Sequence, residues 1–177
     1  MSHVYITTPA YYVNAKPHLG HAYTSIASDV IARWYKLKGE EVRFITGTDE
    51  HGSKIEEAAK KNKKTPLQFC NEIAQTFKDL LPLISVEVDD FVRTSEERHQ
   101  KVVYEILKKV WDKGDIYKGI YEDWYCVPCE SFWTEAQLLE KACPECGREV
   151  QKLQEETYYF KLSKYQNKLL TYYKQHP

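Results

Sequence analysis

Cys126-x2-Cys129, a stretch of thirteen residues and Cys143-x2-Cys146 set four thiols in two pairs. Two residues between thiolates let each pair wrap one side of a tetrahedral ion at about 2.3 Å, and Pro128, Pro144 and Gly147 suit the tight turns this requires. The spacing points to a zinc knuckle. With all four positions supplied by protein the ion is structural, and its binding lends folding energy to a segment with little core. Reduced structural thiols or redox pairs are the plain alternatives. Cys70, the fifth cysteine, stands on an apolar helix stripe and is expected in the core.

Two further segments could do chemistry. Pro17-His18-Leu19-Gly20-His21 opens a helix. A helix N-terminus presents free N–H groups and partial positive charge, His18 and His21 sit three apart, and Gly20 lets a flat or anionic ligand approach the backbone. Phosphate binding, a capped helix with surface histidines and half a metal site all remain open on these residues. In Thr46-Gly47-Thr48-Asp49-Glu50-His51-Gly52, Asp49 is a candidate partner for an ammonium group, and a helix-capping turn is the alternative.

The elements around these segments give them a common setting. Val4 to Thr8 reads as a buried strand. Residues 20–38 read as a helix with Ala22, Ile26, Val30, Trp34 and Leu37 at helical spacing, and Glu41 to Thr46 as the next strand. Strand, helix and strand within this span predict a βαβ unit with a parallel sheet, hence an α/β fold with ligands beyond the carboxyl ends of the strands. Capping boxes at Ser53/Glu56, Thr65/Gln68 and Thr94/Glu97 mark three helix starts. Phe69, Ile73, Phe77 and Leu80 give one helix a buried stripe. Val102, Val103, Ile106, Leu107, Val110 and Trp111 give another its apolar face, and Asp90 to Arg93 form a short strand between them. After Gly114 the chain turns to tyrosine-rich strands, Ile116 to Tyr125 and Glu149 to Phe160, then a helix over 164–174. The domain boundary is placed near 114–116.

Lys plus Arg total 25 and Asp plus Glu 26, a balance that excludes a polybasic electrostatic binder but leaves a local nucleic-acid patch open. The cluster Lys60 to Lys64 reads as a solvated helix end. No apolar run reaches membrane-span length, and Met1 to Thr7 lacks the basic and apolar segments of a secretory leader, so a cytoplasmic location without membrane association is expected. Leu169, Leu170, Tyr172 and Tyr173 lie on a helix with no closing element before Pro177, as in a piece of a longer protein.

Tyr11-Tyr12-Val13-Asn14-Ala15-Lys16-Pro17-His18-Leu19-Gly20-His21 resembles the His-Ile-Gly-His signature of class I aminoacyl-tRNA synthetases. Thr8-Pro9-Ala10-Tyr11-Tyr12, Gly47-Thr48-Asp49-Glu50-His51-Gly52 and the knuckle after Tyr125 narrow the resemblance to the methionyl-tRNA synthetase family, from about residue 4 to the end. The resemblance implies the first half of a Rossmann-like nucleotide-binding domain over 1–114. It also implies a connective insertion over 115–177 that carries the knuckle (126–146) near the tRNA acceptor end. It implies activation of methionine by ATP, with magnesium accompanying the pyrophosphate, and transfer to tRNA. His18 and His21 match the catalytic, ATP-binding signature together with Gly20; Asn14 and Lys16 lie in the same loop. Ala10 and Tyr12 match the methionine pocket, with Tyr11 beside them, and Asp49 matches the acid that binds the ammonium.

The family also needs a second half-fold with a Lys-Met-Ser-Lys-Ser loop. Lys161-Leu162-Ser163-Lys164-Tyr165 is not that loop: it follows the knuckle too soon and lacks the last serine. Thr157 to Ser163 resembles instead the family's segment just after the insertion. The chain alone is therefore expected to bind zinc and to catalyse adenylation poorly or not at all. The rival readings are a non-catalytic zinc-binding RNA adaptor, which leaves the histidines and Asp49 unexplained, and another class I amino-acid-activating enzyme.

Overall fold

In β1 (His3–Thr7) β-branched and aromatic residues favour extended backbone, and Pro9 interrupts the ladder because it lacks an N–H. The computed structural model describes residues 3–176. Met1–Ser2, where the reading of an absent leader begins, and Pro177, where the reading of a cut end falls, lie outside the described residues. The chain divides into two compact units between Tyr104 and Glu105.

In the N-terminal unit, β1 leads into α1 (Leu19–Leu37) and β3 (Glu41–Asp49), with β1 and β3 parallel in the register Val4↔Val42 to Thr7↔Ile45. After α2 (Ser53–Lys61) and α3 (Pro66–Leu83), β4 (Asp90–Arg93) pairs parallel with β3 through Gly47↔Val92 and Thr48↔Arg93. The α/β, parallel-sheet expectation is met. A short β2 (Tyr11–Tyr12) is an addition: past Pro9 the chain rejoins β3 at Tyr11↔Thr48 and Tyr12↔Asp49. Every strand of this sheet runs one way, so the carboxyl ends share a rim. One core cluster joins Tyr11, Val13, Ile55, Phe69, Cys70, Ile73 and Phe77; another gathers around Phe44, Ala32, Leu81 and Val86. Cys70 is buried as expected.

Five sequence expectations need correction. β1 is not a buried strand: paired only with β3 among the described residues, it alternates exposed and half-buried residues, with Tyr5 exposed. α2 is capped by Gly52 without a side-chain cap bond, so the Ser53/Glu56 box does not form. Thr94 accepts a hydrogen bond from the Glu50 backbone instead of starting α4 (Glu97–Asp112). α1 buries Ser25, Asp29 and Ala32, while Ile26, Val30, Trp34 and Leu37 are exposed. The buried side carries small and hydrogen-bonded residues because Asp29 accepts from the Glu87 N–H and from Arg33. On α4 no residue is buried. Helical periodicity finds an apolar face in both helices but does not say that the chain covers it.

In the C-terminal unit, β5 (Ile116–Cys126) pairs antiparallel with β6 (Ser131–Trp133) on one side and β7 (Gln151–Phe160) on the other, and α5 spans Gln166–Gln175. Buried Asp115 ties its ends together. Its carboxylate accepts from Lys164 and Tyr165, and its carbonyl from the Lys161 N–H at 2.8 Å.

Candidate active site and metal centre

His18 is the N-cap of α1 and His21 its third helical residue, and together they form a capping box of imidazoles. His18 Nδ1 accepts the Gly20 N–H at 3.1 Å, and His21 Nδ1 accepts the His18 N–H at 3.0 Å. A backbone N–H can only donate, so each neutral ring carries its proton on Nε2. The turn thus offers two Nε2–H donors from rings 3.9 Å apart. Burial, then the neighbouring His18, pushes the His21 pKa below its ordinary value and favours this neutral form. Gly20 is required by proximity: a Cβ there would lie 2.9 Å from the His18 ring. Asn14 and Lys16, in the loop before the turn, are exposed.

Tyr11 connects this turn to the acidic strand end. Its backbone pairs with Thr48, its ring meets His21 edge-on at 4.9 Å and stacks on Phe77 at 5.4 Å, and its hydroxyl bonds Ser25 Oγ at 2.8 Å. It is buried, and so supports the turn from beneath. Tyr12, one residue on, is the cross-strand neighbour of Asp49 and lies over Gly52, where a Cβ would come within 2.5 Å of its hydroxyl. Gly52 has φ +125°, a backbone that side chains other than glycine's rarely adopt. Ala10 is exposed in the break between β1 and β2. The two loops therefore emerge side by side at the carboxyl rim. Asp49 belongs to the end of β3 rather than to a capping turn. It is half-buried, and no hydrogen-bond or ion-pair partner among the described residues engages its carboxylate.

The sequence reading assigned no role to the group behind Asp49. The Glu50 side chain is fully buried and accepts Arg93 Nε at 2.6 Å, Arg93 Nη2 at 2.9 Å, Thr48 Oγ1 at 2.7 Å and Ser95 Oγ. Thr94 Oγ1 accepts the Glu50 N–H at 2.9 Å and lies 3.1 Å from His51 Nδ1. Burial pushes the Glu50 carboxyl up, but hydrogen bonds from Arg93, Ser95 and Thr48 outweigh it and hold the pKa below the ordinary value. Alternation along the strand is the signal available in sequence: Thr48 and Glu50 point one way, Asp49 the other.

In the C-terminal unit Cys126 ends β5, and the turn through Cys129 leads into β6. Cys143 and Cys146 lie in a turn closed by Gly147 N–H to Cys143 O at 2.9 Å, with Gly147 at φ +67°. All four sulfurs lie within 4.8 Å of one another; Cys126–Cys146 are 3.5 Å apart and Cys129–Cys143 3.9 Å. Ligands at about 2.3 Å from a tetrahedral centre stand about 3.8 Å apart, so the donor set matches zinc in type, number and approximate spacing.

A family model described as class I tRNA synthetases (M) matches residues 4–155. The methionine–tRNA ligase of Thermotoga maritima is 51% identical over 177 residues, covering 98% of this chain and 28% of the relative. That of Campylobacter jejuni is 52% identical over 172 residues, covering 97% and 27%. Mycobacterium tuberculosis methionyl-tRNA synthetase in complex with methionyl-adenylate superposes with a TM-score of 0.88 at 38% identity, over 100% of this chain and 36% of that one. The chain spans just over a quarter of the length of the curated relatives it matches.

Proposed function

Because the chain belongs to the class I (M) tRNA synthetases, we propose that it is the N-terminal part of a methionine–tRNA ligase, holding half of the amino-acid-activating site over 1–114 and a connective insertion over 115–177. The observation that carries this reading is the pairing of Tyr12 with Asp49 beside the ring of Tyr11, which abuts His21. One rim thus offers an acid for the ammonium of an amino acid and two imidazole donors for the phosphates of ATP.

In this reading the methionine carboxylate attacks the α-phosphorus in line and pyrophosphate leaves, so no covalent enzyme intermediate is needed. Asp49 binds the ammonium, with Ala10 and Tyr12 against the methionine and buried Tyr11 beside them, holding the site from behind. His18 and His21 donate from Nε2–H to oxygens on which negative charge develops, and need no reorganisation because capping already fixes their rings. Gly20 admits the nucleotide, with Asn14 and Lys16 in the adjoining loop, and magnesium accompanies the departing pyrophosphate. The four cysteines hold a structural zinc near the acceptor end of tRNA. Among the described residues no helix is long and apolar enough to cross a membrane, and we place the protein in the cytoplasm, where tRNA charging serves translation.

Methionine-dependent ATP–pyrophosphate exchange by the full-length protein containing this chain tests the reading. Exchange with methionine and none with leucine, isoleucine or valine is expected, and the 177 residues alone should show little turnover. Absence of exchange in the full-length protein, with RNA binding retained, would favour a zinc-binding adaptor instead.

A further inference from the structure

Two carboxylates stand side by side at the rim, and only one faces outward. Glu50 has each of its polar groups engaged. The carboxylate takes a two-pronged hydrogen bond from Arg93 and one each from Thr48 and Ser95; the N–H donates to Thr94; the carbonyl lies 3.8 Å from Cys70 Sγ. Three consecutive residues at the end of β4 and just past it, Arg93, Thr94 and Ser95, thus grip one side chain and its backbone. Arg93 is itself fastened to α3 through Asn71 Oδ1 at 2.7 Å. Thr94 N–H also donates to Thr48 O at 3.2 Å, so the grip continues the β3–β4 ladder past its last pair.

We propose that Arg93 is a positioning residue for the amino-acid site: by clamping and neutralising Glu50, it fixes the outward direction of Asp49 and leaves Asp49 as the carboxylate that meets the ammonium. The proposal rests on the reading of Asp49 given above. Glu50 and Asp49 share a peptide bond, and alternation forces their side chains apart. A backbone rotation that freed Glu50 would turn Asp49 with it. An unneutralised Glu50 would also be a second acid competing for the same ammonium. Lysine cannot replace Arg93 here, because a point charge lacks the planar fork that meets both carboxylate oxygens.

The test is the Arg93→Lys variant of the full-length protein. The methionine KM in pyrophosphate exchange should rise about tenfold, while the ATP KM stays within about twofold and the melting midpoint stays near that of the wild type. Competition binding adds a readout that a merely structural role would not move. Affinity for methionine should fall about tenfold, and affinity for 4-(methylthio)butanoate, which lacks the ammonium, by less than about twofold. If Arg93→Lys fails to fold, Ser95→Ala removes one donor to the same carboxylate and should give the same pattern at about threefold. Both KM values moving together, neither moving, or equal losses for methionine and its desamino analogue would overturn the proposal. An inactive wild type would instead overturn the ligase reading, and this proposal with it.

Discussion

The imidazole of His21 accepts the backbone N–H of His18 at 3.0 Å, so the second histidine of the signature caps the helix that the first one opens. Helix capping and phosphate donation, weighed as alternatives on the sequence, are compatible. The Nδ1 atoms satisfy the backbone and the Nε2–H atoms stay available to a ligand.

This arrangement is sensitive to acid. A protonated imidazole donates from both nitrogens and can no longer accept the His18 N–H. The folded-state pKa of His21 lies below the ordinary value of 6.5, through burial and then through His18. Its stabilisation is therefore complete above the unfolded-state pKa and is lost as pH falls toward the folded-state one. Urea unfolding midpoints should decline between about pH 7.5 and 5.5, and His21→Asn, which keeps an acceptor without a titrating ring, should remove part of that slope. Equal slopes for the two proteins would sink the idea.

Gly47 holds β3 and β4 at their closest approach. A Cβ built there would lie 1.9 Å from the carbonyl oxygen of Val92, which is backbone and cannot turn aside. Gly47→Ala should cost about 3 kcal/mol in chemical denaturation, at the upper end of overpacking penalties. A loss below about 0.5 kcal/mol would mean that the strands separate freely at this point.

What the sequence made legible, and what it hid, divides along physical lines. The parallel βαβ unit could be read because strand and helix periods differ. The four-cysteine spacing and the two rim segments were equally visible, being local in sequence. β2 was hidden because two residues carry no period. The clamp was hidden because Glu50 and Arg93 lie forty-three positions apart and meet only through β3–β4 pairing. The apolar faces of α1 and α4 were visible as patterns, but burial depends on what packs against a face, which a pattern does not contain.

The Thr65 box is the one of the three expected capping boxes that forms as read. Thr65 Oγ1 accepts the Gln68 N–H at 3.2 Å, and Gln68 Oε1 accepts the Thr65 N–H at 3.0 Å. Pro66 occupies the first helical position, where no N–H is needed. Thr65→Ala should lower stability by about 1 kcal/mol, measured by denaturant titration. Thr65→Ser should retain most of it. Equal losses for both would assign the effect to the methyl group rather than to the cap.

The knuckle offers the sharpest dependence on a ligand. Cys126 and Cys143 are its buried residues between the ends of β5 and β7, and two isolated bridges, Leu139↔Ala142 and Ala142↔Glu149, are its only ladder pairs beyond the short β6 among the described residues. So little apolar burial cannot order a segment of this length against its conformational entropy, and the sulfur cluster must supply the difference. Elemental analysis should find one zinc per chain. Removing it with a strong chelator should expose amides 127–150 to hydrogen exchange, while those of β5 paired with β7 from Ile116↔Phe160 to Glu122↔Gln154 keep their protection. Cys143→Ser should reproduce the effect, because a hydroxyl is a poor zinc ligand at neutral pH. If protection over 127–150 survives metal removal, then hydrogen bonds such as Cys143 N–H to Arg148 O at 2.9 Å suffice to order the loop, and the thiols are structural without a metal.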